Sequence, residues 1–536
     1  MRQSESRRKQ IEYVSKLLEI VSVWVAGRSM GPEGTGFILV AFMTFLIFWS
    51  LSGEHLPDAL ARIIRGRRAK GQFRSLKDVR HMAAVCQIVT GIVASTLFFV
   101  VGPMIGEKLF DCNYCKLMFW LLTPVLFLRG ISYLLTGYCS GQGAEIVCLI
   151  AGIGRQIIIL VFGILLGNRM GEYGEKVSDL LKQDRFTAMY MGVGWCFAIV
   201  FAEIVSLLFL LLSFIRIQGK SGEEQTESMR AKNSYSGYIG AIYANMLFKS
   251  LITICNLLPV FIGMLIFFKR EGEKAPEMFG QYFMYYLAIC LMFIYFLDFL
   301  TIPYWTKVYG YIKRDERRLA RTCFQGGMHL IFSFGLILAI GITVMAEKIF
   351  GVAVPGAEKA AITSAVKILV PGGFWLVFMS LAFYFSGMLQ RLGKQGIAFG
   401  MAILYVIVFV MIYTIMWKDE KMGLLAMMYA CVISSGVYAA LLGAFTIQLL
   451  GVRISWLVCF VMPAIIAGLT GAVEFIAVKL VGNYLGNLPT IIGVGIAGLL
   501  IYWSALLILR NFREEELSLM PFGKILLGLG KMLSVF

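Results

Sequence analysis

The chain has 536 residues, of which 59% are hydrophobic and 15% charged, and carries a formal net charge of +17. Mean hydropathy is +0.79. So few charges, with apolar runs of about 20 residues recurring along the whole length, exclude a soluble domain, because each run can cross about 30 Å of hydrocarbon as a helix. The basic excess then belongs to loops and headgroup contacts, and no basic strip interleaved with aromatics supports nucleic-acid binding.

Taken in chain order, apolar runs broken by Gly, Pro and charge predict fourteen spans. Six of them, 11–30, 36–57, 82–105, 117–137, 145–167 and 189–215, precede the polar stretch 216–237. Eight follow: 238–268, 279–303, 322–346, 364–389, 397–416, 423–449, 455–481 and 488–510. The start, MRQSESRRKQ, reads as the entry to a first span and not as a cleavable signal peptide, because Glu12, Lys16 and Glu19 interrupt the run behind it. The fold class is thus all-α and polytopic, since in lipid each backbone polar group must pair within its own helix.

Alternate connections differ in basic content, about 29 Lys and Arg in one set and about 14 in the other. The richer set includes both termini, 58–81 and 304–321, so both termini are expected in the cytoplasm. The basic strip around Lys70 after span two is matched by one around Lys313 after span eight, and GYCSGQG after span four by GMLQRLGKQG after span ten. This order points to an N-terminal lobe 1–215, a connector 216–237, a second lobe 238–449, and two additional helices with a tail, 450–536. Parallel repeats of this kind place a substrate site between the lobes.

Several segments resemble polysaccharide-export flippases. They are GRSMGPEGTGF at 27–37, LPDALARIIRGRRAKGQFRSL from Leu56, LLTPVLFLRGISYLLTGYCSGQG from Leu121, PYWTKVYGYIKRDERRLAR from Pro303 and FYFSGMLQRLGKQG from Phe383. Their order is similar to that in the multidrug/oligosaccharidyl-lipid/polysaccharide (MOP) exporter superfamily, nearest to polysaccharide biosynthesis proteins of the stage V sporulation protein B and lipid II flippase type. The chain departs from the pattern at His55, where a small residue is usual, and in the basic residue often found within the first helix. The resemblance implies two helical bundles with a central cavity, alternating access, and a substrate with an undecaprenyl-diphosphate tail and a sugar head, without choosing the glycan.

Such cargo demands countercharge for a pyrophosphate and a polar path for sugars, and ionisable groups at membrane depth are the candidates. Lys16, Glu19, Arg129, Arg155, Glu203, Lys249 and Asp298 form the expected cavity set. Lys16 and Lys249 occupy corresponding spans of the two lobes. Arg129 and Arg155 offer bidentate phosphate contacts, although Arg129 has a structural alternative in pairing with Glu145 or Asp58. Asp298 is a possible neutraliser of Lys249, and Glu474 is the isolated acid of span thirteen. Carboxylates so placed can couple transport to H+ or Na+; no other cofactor and no metal are expected. His329 reads as a packed, satisfied residue, and Lys367 as a snorkelling one near the outer face. Glu54, Asp58, Arg62, Arg65, Arg67 and Arg68, with Lys313 and Arg314 in the second lobe, form a cytoplasmic anchor and candidate gate touching anionic lipids. The single Cys112–Cys115 pair leaves a disulfide and incidental thiols both open.

With three histidines and no phosphate-binding loop, no catalytic constellation is present, so no enzyme is expected. The expected function is flipping of a lipid-linked oligosaccharide across the cytoplasmic membrane, with glycan-assembly enzymes as possible partners. Two alternatives remain at this point: a cation-coupled multidrug exporter of the same superfamily and a membrane-embedded glycan polymerase or ligase.

Overall fold

A computed structural model describes residues 2–220, 235–353, 359–419, 422–482, 484, 486–519 and 523–533. Among them there are helices and no strands. Twelve continuous helical stretches are long and apolar enough to cross a membrane. Two of these, Leu17–Arg68 and Ile242–Lys313, hold 52 and 72 residues, far more than the roughly 20 that one crossing needs. Each carries a break. The first helix, α1 (Arg2–Ser52), turns at Gly31, whose φ of 74° is a conformation that L side chains rarely adopt. The second long stretch turns at Gly272, φ 56°, in a short 3-10 helix between α7 (Tyr235–Glu271) and α8 (Ala275–Tyr282). Divided at these breaks, the twelve stretches supply the fourteen expected crossings.

The chain forms two compact units, essentially Gln3–Met284 and Tyr285–Phe536. Helices α7 and α8 therefore pack with the first unit. Most of the polar stretch 216–237 lies outside the described residues.

The first unit is organised by close helix approaches. Residues Gly36 and Gly280 sit where α8 meets the turn of α1: a methyl on Gly36 would strike the Pro276 backbone, and one on Gly280 the Pro32 carbonyl. Arg185 ties the same turn down through Glu33, at 3.2 Å. Helices α5 (Glu145–Leu181) and α6 (Arg185–Lys220) pack along their whole length. A stripe of Gly163, Gly167, Gly171 and Gly174 on α5 admits Trp195, Met191 and Tyr190 of α6. The connection 168–188, read from sequence as the longest outer loop, is accordingly a helical hairpin with its turn at Lys182 (φ 54°).

The basic strip after span two is likewise not an extended loop. Leu56–Arg68 is a separate helix, α2, followed by a turn and then α3 (Phe73–Met104). Its Leu56, Leu60 and Ile64 recur at helical spacing and enter one core with Val79 of α3, Tyr138 of α4 (Lys116–Gly141) and Met246 of α7. Arg62 and Arg65 lie off that face, and Arg67 and Arg68 close the last turn. With Asp58 in its first turn and Arg65, Arg67 and Arg68 in its last, α2 also places charges of the favourable sign at both ends of its dipole.

In the second unit, α9 (Ala288–Lys313), α10 (Arg317–Val344), α12 (Lys359–Arg391) and α14 (Gly423–Leu450) pack on one another, with α13 (Gln395–Met416) against α14. The two additional spans, α15 (Met462–Val481) and α16 (Asn487–Ile508), pack on α10. The tail folds back: the ring of His329 on α10 stacks on Phe512 at 3.8 Å, and its Nε2 pairs with the Asn511 side-chain nitrogen at 3.1 Å. His329 is thus packed and satisfied, as the sequence reading expects.

Gly36→Ala is expected to destabilise the detergent-purified protein by about 1–3 kcal/mol through overpacking against Pro276, visible as a lowered thermal unfolding midpoint. Gly66→Ala, a position facing open space, serves as the control and should not lower it. Equal midpoints for both variants would contradict the close approach of α1 and α8.

Candidate functional site

The charged residues of the first unit converge on one buried carboxylate. Glu203 of α6 is fully buried, at 0% exposure. Its Oε1 accepts from Arg129 Nε on α4 at 2.6 Å and from Arg155 Nη1 on α5 at 3.2 Å. Arg129 reaches further, to Glu19 of α1 at 3.7 Å. Its guanidinium also lies over the rings of Phe45 and Trp49, 5.4 and 5.7 Å from their centroids. Two arginines and two glutamates thus form a network that is neutral overall and tied to four helices.

The chemistry of burial explains why the four occur together. A lone charge in an apolar interior is strongly penalised, and the penalty is offset only by an opposite charge with good hydrogen-bond geometry. Glu203 alone serves both arginines, so removing it would leave two cations facing each other. The sequence reading left Glu145 and Asp58 open as partners for Arg129. The structure uses them elsewhere: Glu145 holds Arg65 at 2.8 Å, and Asp58 holds Lys249 at 3.2 Å.

Beside this network lies a small, mainly apolar pocket, with Glu19, Ser22, Thr35, Arg129, Gln156 and Trp195 in its wall among aliphatic and aromatic side chains. Among the polar side chains of its wall, Gln156 has both amide atoms buried without a hydrogen-bond partner; in the network beside it, Glu203 Oε2 and Arg155 Nε are likewise buried without one. Gln156 is 1% exposed, and burying an amide with neither end bonded is costly. A polar ligand entering this pocket would find donors and acceptors ready. Glu19, with its side chain 27% exposed and its contact long, is the most displaceable of the four charges. The expected cavity residues Glu19, Arg129, Arg155 and Glu203 are therefore brought together. Gln156, Thr35 and Trp195 were not singled out from sequence, though an amide following Arg155 within an apolar span was a visible signal for the first.

The remaining expected residues lie elsewhere. The side chain of Lys16 is outside the described residues. Lys249 belongs to the α2–α7 contact with Asp58, next to His55, whose Nε2 meets Thr253 Oγ1 at 2.9 Å. Around α2, Glu54 accepts from Ser50 at 2.6 Å, Arg67 donates to Gln72 at 2.8 Å, and Arg68 to the Gln142 carbonyl at 2.7 Å. Arg65 also reaches the Ser140 carbonyl at 3.1 Å, while Arg62 stands exposed. The arginines of α2 thus clasp the turn between α4 and α5.

In the second unit, Asp298 is buried and holds Thr301, whose hydroxyl lies 3.5 Å from its carboxylate. Lys313 lies over the Tyr309 ring at 4.8 Å, and Arg314 pairs with Glu316 at 3.9 Å. Lys367 is exposed. Glu474 of α15 is 3% exposed, and a second pocket of about 600 Å³ between α15 and α16 opens beside it. Cys112 and Cys115 face each other with sulfurs 2.8 Å apart. No group of residues suited to a metal ion occurs among the described residues.

The fold and site define the class. The chain is a polytopic membrane protein, helical throughout its described residues, with a fold like that of solved transporters of the MOP superfamily. It superposes on an inward-facing multidrug-resistance MATE-family transporter of that superfamily with a TM-score of 0.63, at 13% identity, covering 84% of this chain and 98% of the other. A MOP-superfamily transporter from Pyrococcus furiosus gives a TM-score of 0.56, at 14% identity, over 83% of this chain and 96% of the other. No family model matches the chain. Its particular likeness in sequence is to stage V sporulation protein B of Bacillus subtilis, 21% identical over 530 residues and covering 95% of each chain. Both solved neighbours are transporters.

Glu203→Gln is expected to destabilise the protein by about 3–5 kcal/mol, because it leaves Arg129 and Arg155 buried without their shared anion. Thermal unfolding in detergent reads this. Glu19→Gln, which removes only the outer and longer contact, should cost clearly less. An unchanged midpoint for Glu203→Gln would contradict the role given to that carboxylate.

Proposed function

We propose that this protein flips a lipid-linked oligosaccharide across the cytoplasmic membrane by alternating access. The observation that carries the reading is the buried Arg129–Glu203–Arg155 network, which reaches the wall of a pocket through Arg129 and the displaceable Glu19, beside the unbonded amide of Gln156. A pyrophosphate needs cations that also match its geometry, and guanidinium groups do both. An anion that competes with Glu19 for Arg129 would restore the charge balance of the site while Glu203 keeps both arginines in place. Gln156, Ser22 and Thr35 supply partners for hydroxyl-rich cargo, and an undecaprenyl tail can remain in lipid. A cationic drug gains nothing from two arginines, so the multidrug alternative is the weaker one. The exposed basic side of α2 is proposed to face the cytoplasm and rest on anionic headgroups, with both termini on that side.

Depletion of the protein in its host is expected to accumulate one lipid-linked glycan intermediate in the inner leaflet. A wild-type copy should clear it. A copy carrying Arg129→Gln with Glu19→Gln, which keeps the network neutral, should clear it poorly, by about tenfold or more, for the loss of one charge-assisted phosphate contact. Lipid extraction with leaflet-selective labelling measures this. Normal intermediates and normal polymer export on depletion would overturn the reading.

A further inference from the structure

Glu474 is the one ionisable group of α15 that lies at mid-helix, and its surroundings differ from those of Glu203. Its Oε2 is buried with no hydrogen-bond partner, and no salt bridge reaches it among the described residues. From α10 it meets Gly341, where an added methyl would lie 3.9 Å from Oε2; from α16 it meets Gly498, whose missing side chain leaves the space that the carboxyl group fills. From the short π-helical turn that opens the span, Leu457–Val461, no titratable group but Cys459 is contributed, and that thiol is engaged with Gln325 at 3.4 Å. The charged groups at the far end of α15 are already occupied. Lys479 lies over the Phe475 ring at 4.4 Å, and Lys348 of α11 (Ala346–Ala353) donates to the Gly482 carbonyl at 2.8 Å.

The pocket beside Glu474 is lined by Val473, Ala477, Val494, Ala497 and Ile501, with Thr490 the other polar member. The Thr490 hydroxyl donates to the Gly486 carbonyl at 3.0 Å. Val473 and Ile501 are exposed on the outer side of the α15–α16 pair, a surface that faces lipid when the helices span a membrane. One carboxyl group and the Thr490 hydroxyl are too few oxygens to replace the hydration shell of a sodium or other metal ion, which requires several. An ionised carboxylate without partner is the costliest state for such a place, and a neutral acid the least costly.

From this arrangement we infer that Glu474 binds a proton within the membrane and is a protonation site opening to lipid through the pocket between α15 and α16. The inference stands on the residues around Glu474 and does not rest on the transport reading. The protonated acid donates or holds one hydrogen at Oε2, and release of that proton requires water or a base to enter the pocket.

A hydrophobic fluorescent carbodiimide tests this on the full-length protein in detergent micelles, without any cargo. The acid's proton moves to a carbodiimide nitrogen, the carboxylate oxygen bonds to the central carbon, and the adduct rearranges to a stable N-acylurea with nothing released. Peptide mass spectrometry is expected to place the adduct at Glu474, with labelling lost in Glu474→Gln and retained in Glu474→Asp. On the alkaline side of its midpoint, labelling should fall about tenfold per pH unit, and a water-soluble carbodiimide should label Glu474 little. Absence of the adduct from Glu474 in the wild-type protein, or labelling that stays equal in Glu474→Gln, overturns the inference. So does labelling at Glu474 that is unchanged across the titration.

Discussion

One carboxylate, Glu203, sets the condition that the first unit must satisfy. Because it is fully buried, its charge must be met where it stands, and Arg129 and Arg155 meet it from two different helices. Helices in lipid gain little from hydrophobic attraction to each other, so interhelical hydrogen bonds and close packing decide how they assemble. The pair of arginines on one oxygen fixes the rotation of α4, α5 and α6 together. The glycine stripe of α5 then lets α6 approach closely enough for the 3.2 Å contact to form. Packing and electrostatics act here on the same helices and require one another.

A site of that kind is both rigid and incomplete. Glu203 holds its arginines tightly, whereas Glu19 holds Arg129 at 3.7 Å from a partly exposed position. Gln156 keeps two hydrogen-bonding atoms unused beside them. A buried polar group short of partners costs free energy, so Gln156 and the network beside it stand apart from the apolar packing around them. The α2 helix stands in contrast. Its Arg65 and Arg68 are spent on the carbonyls of the α4–α5 turn and on Glu145, and Arg67 on Gln72, so its role is first to clasp the unit.

How much of this was legible follows from the chemistry of the spans. Their existence was plain, because twenty apolar residues have few other uses, and the turn at Gly31 was announced by its Gly-Pro pair. The charged residues of the network were legible as a set, since Arg129, Arg155 and Glu203 are conspicuous in apolar surroundings. Their pairing was not. Spans that are apolar on every side carry no polar face from which rotation can be read, so Arg129 could equally have met Glu145 or Asp58. The α2 helix was readable in retrospect from Leu56, Leu60 and Ile64, but its dense arginines disguised it as a loop. Gly163, Gly167, Gly171 and Gly174 likewise announced a packing stripe, which carries α5 beyond its expected end.

The central claim is that the arginine–glutamate pocket serves movement of a lipid-linked oligosaccharide. The most direct measurement reconstitutes the purified protein in liposomes holding a defined undecaprenyl-diphosphate oligosaccharide and follows exposure of its sugar to an external lectin. The account predicts that wild-type protein equilibrates the sugar between leaflets far faster than empty vesicles do, and that the Arg129→Gln, Glu19→Gln protein does not. Equilibration no faster than in empty vesicles, or equally fast with the doubly substituted protein, would contradict it.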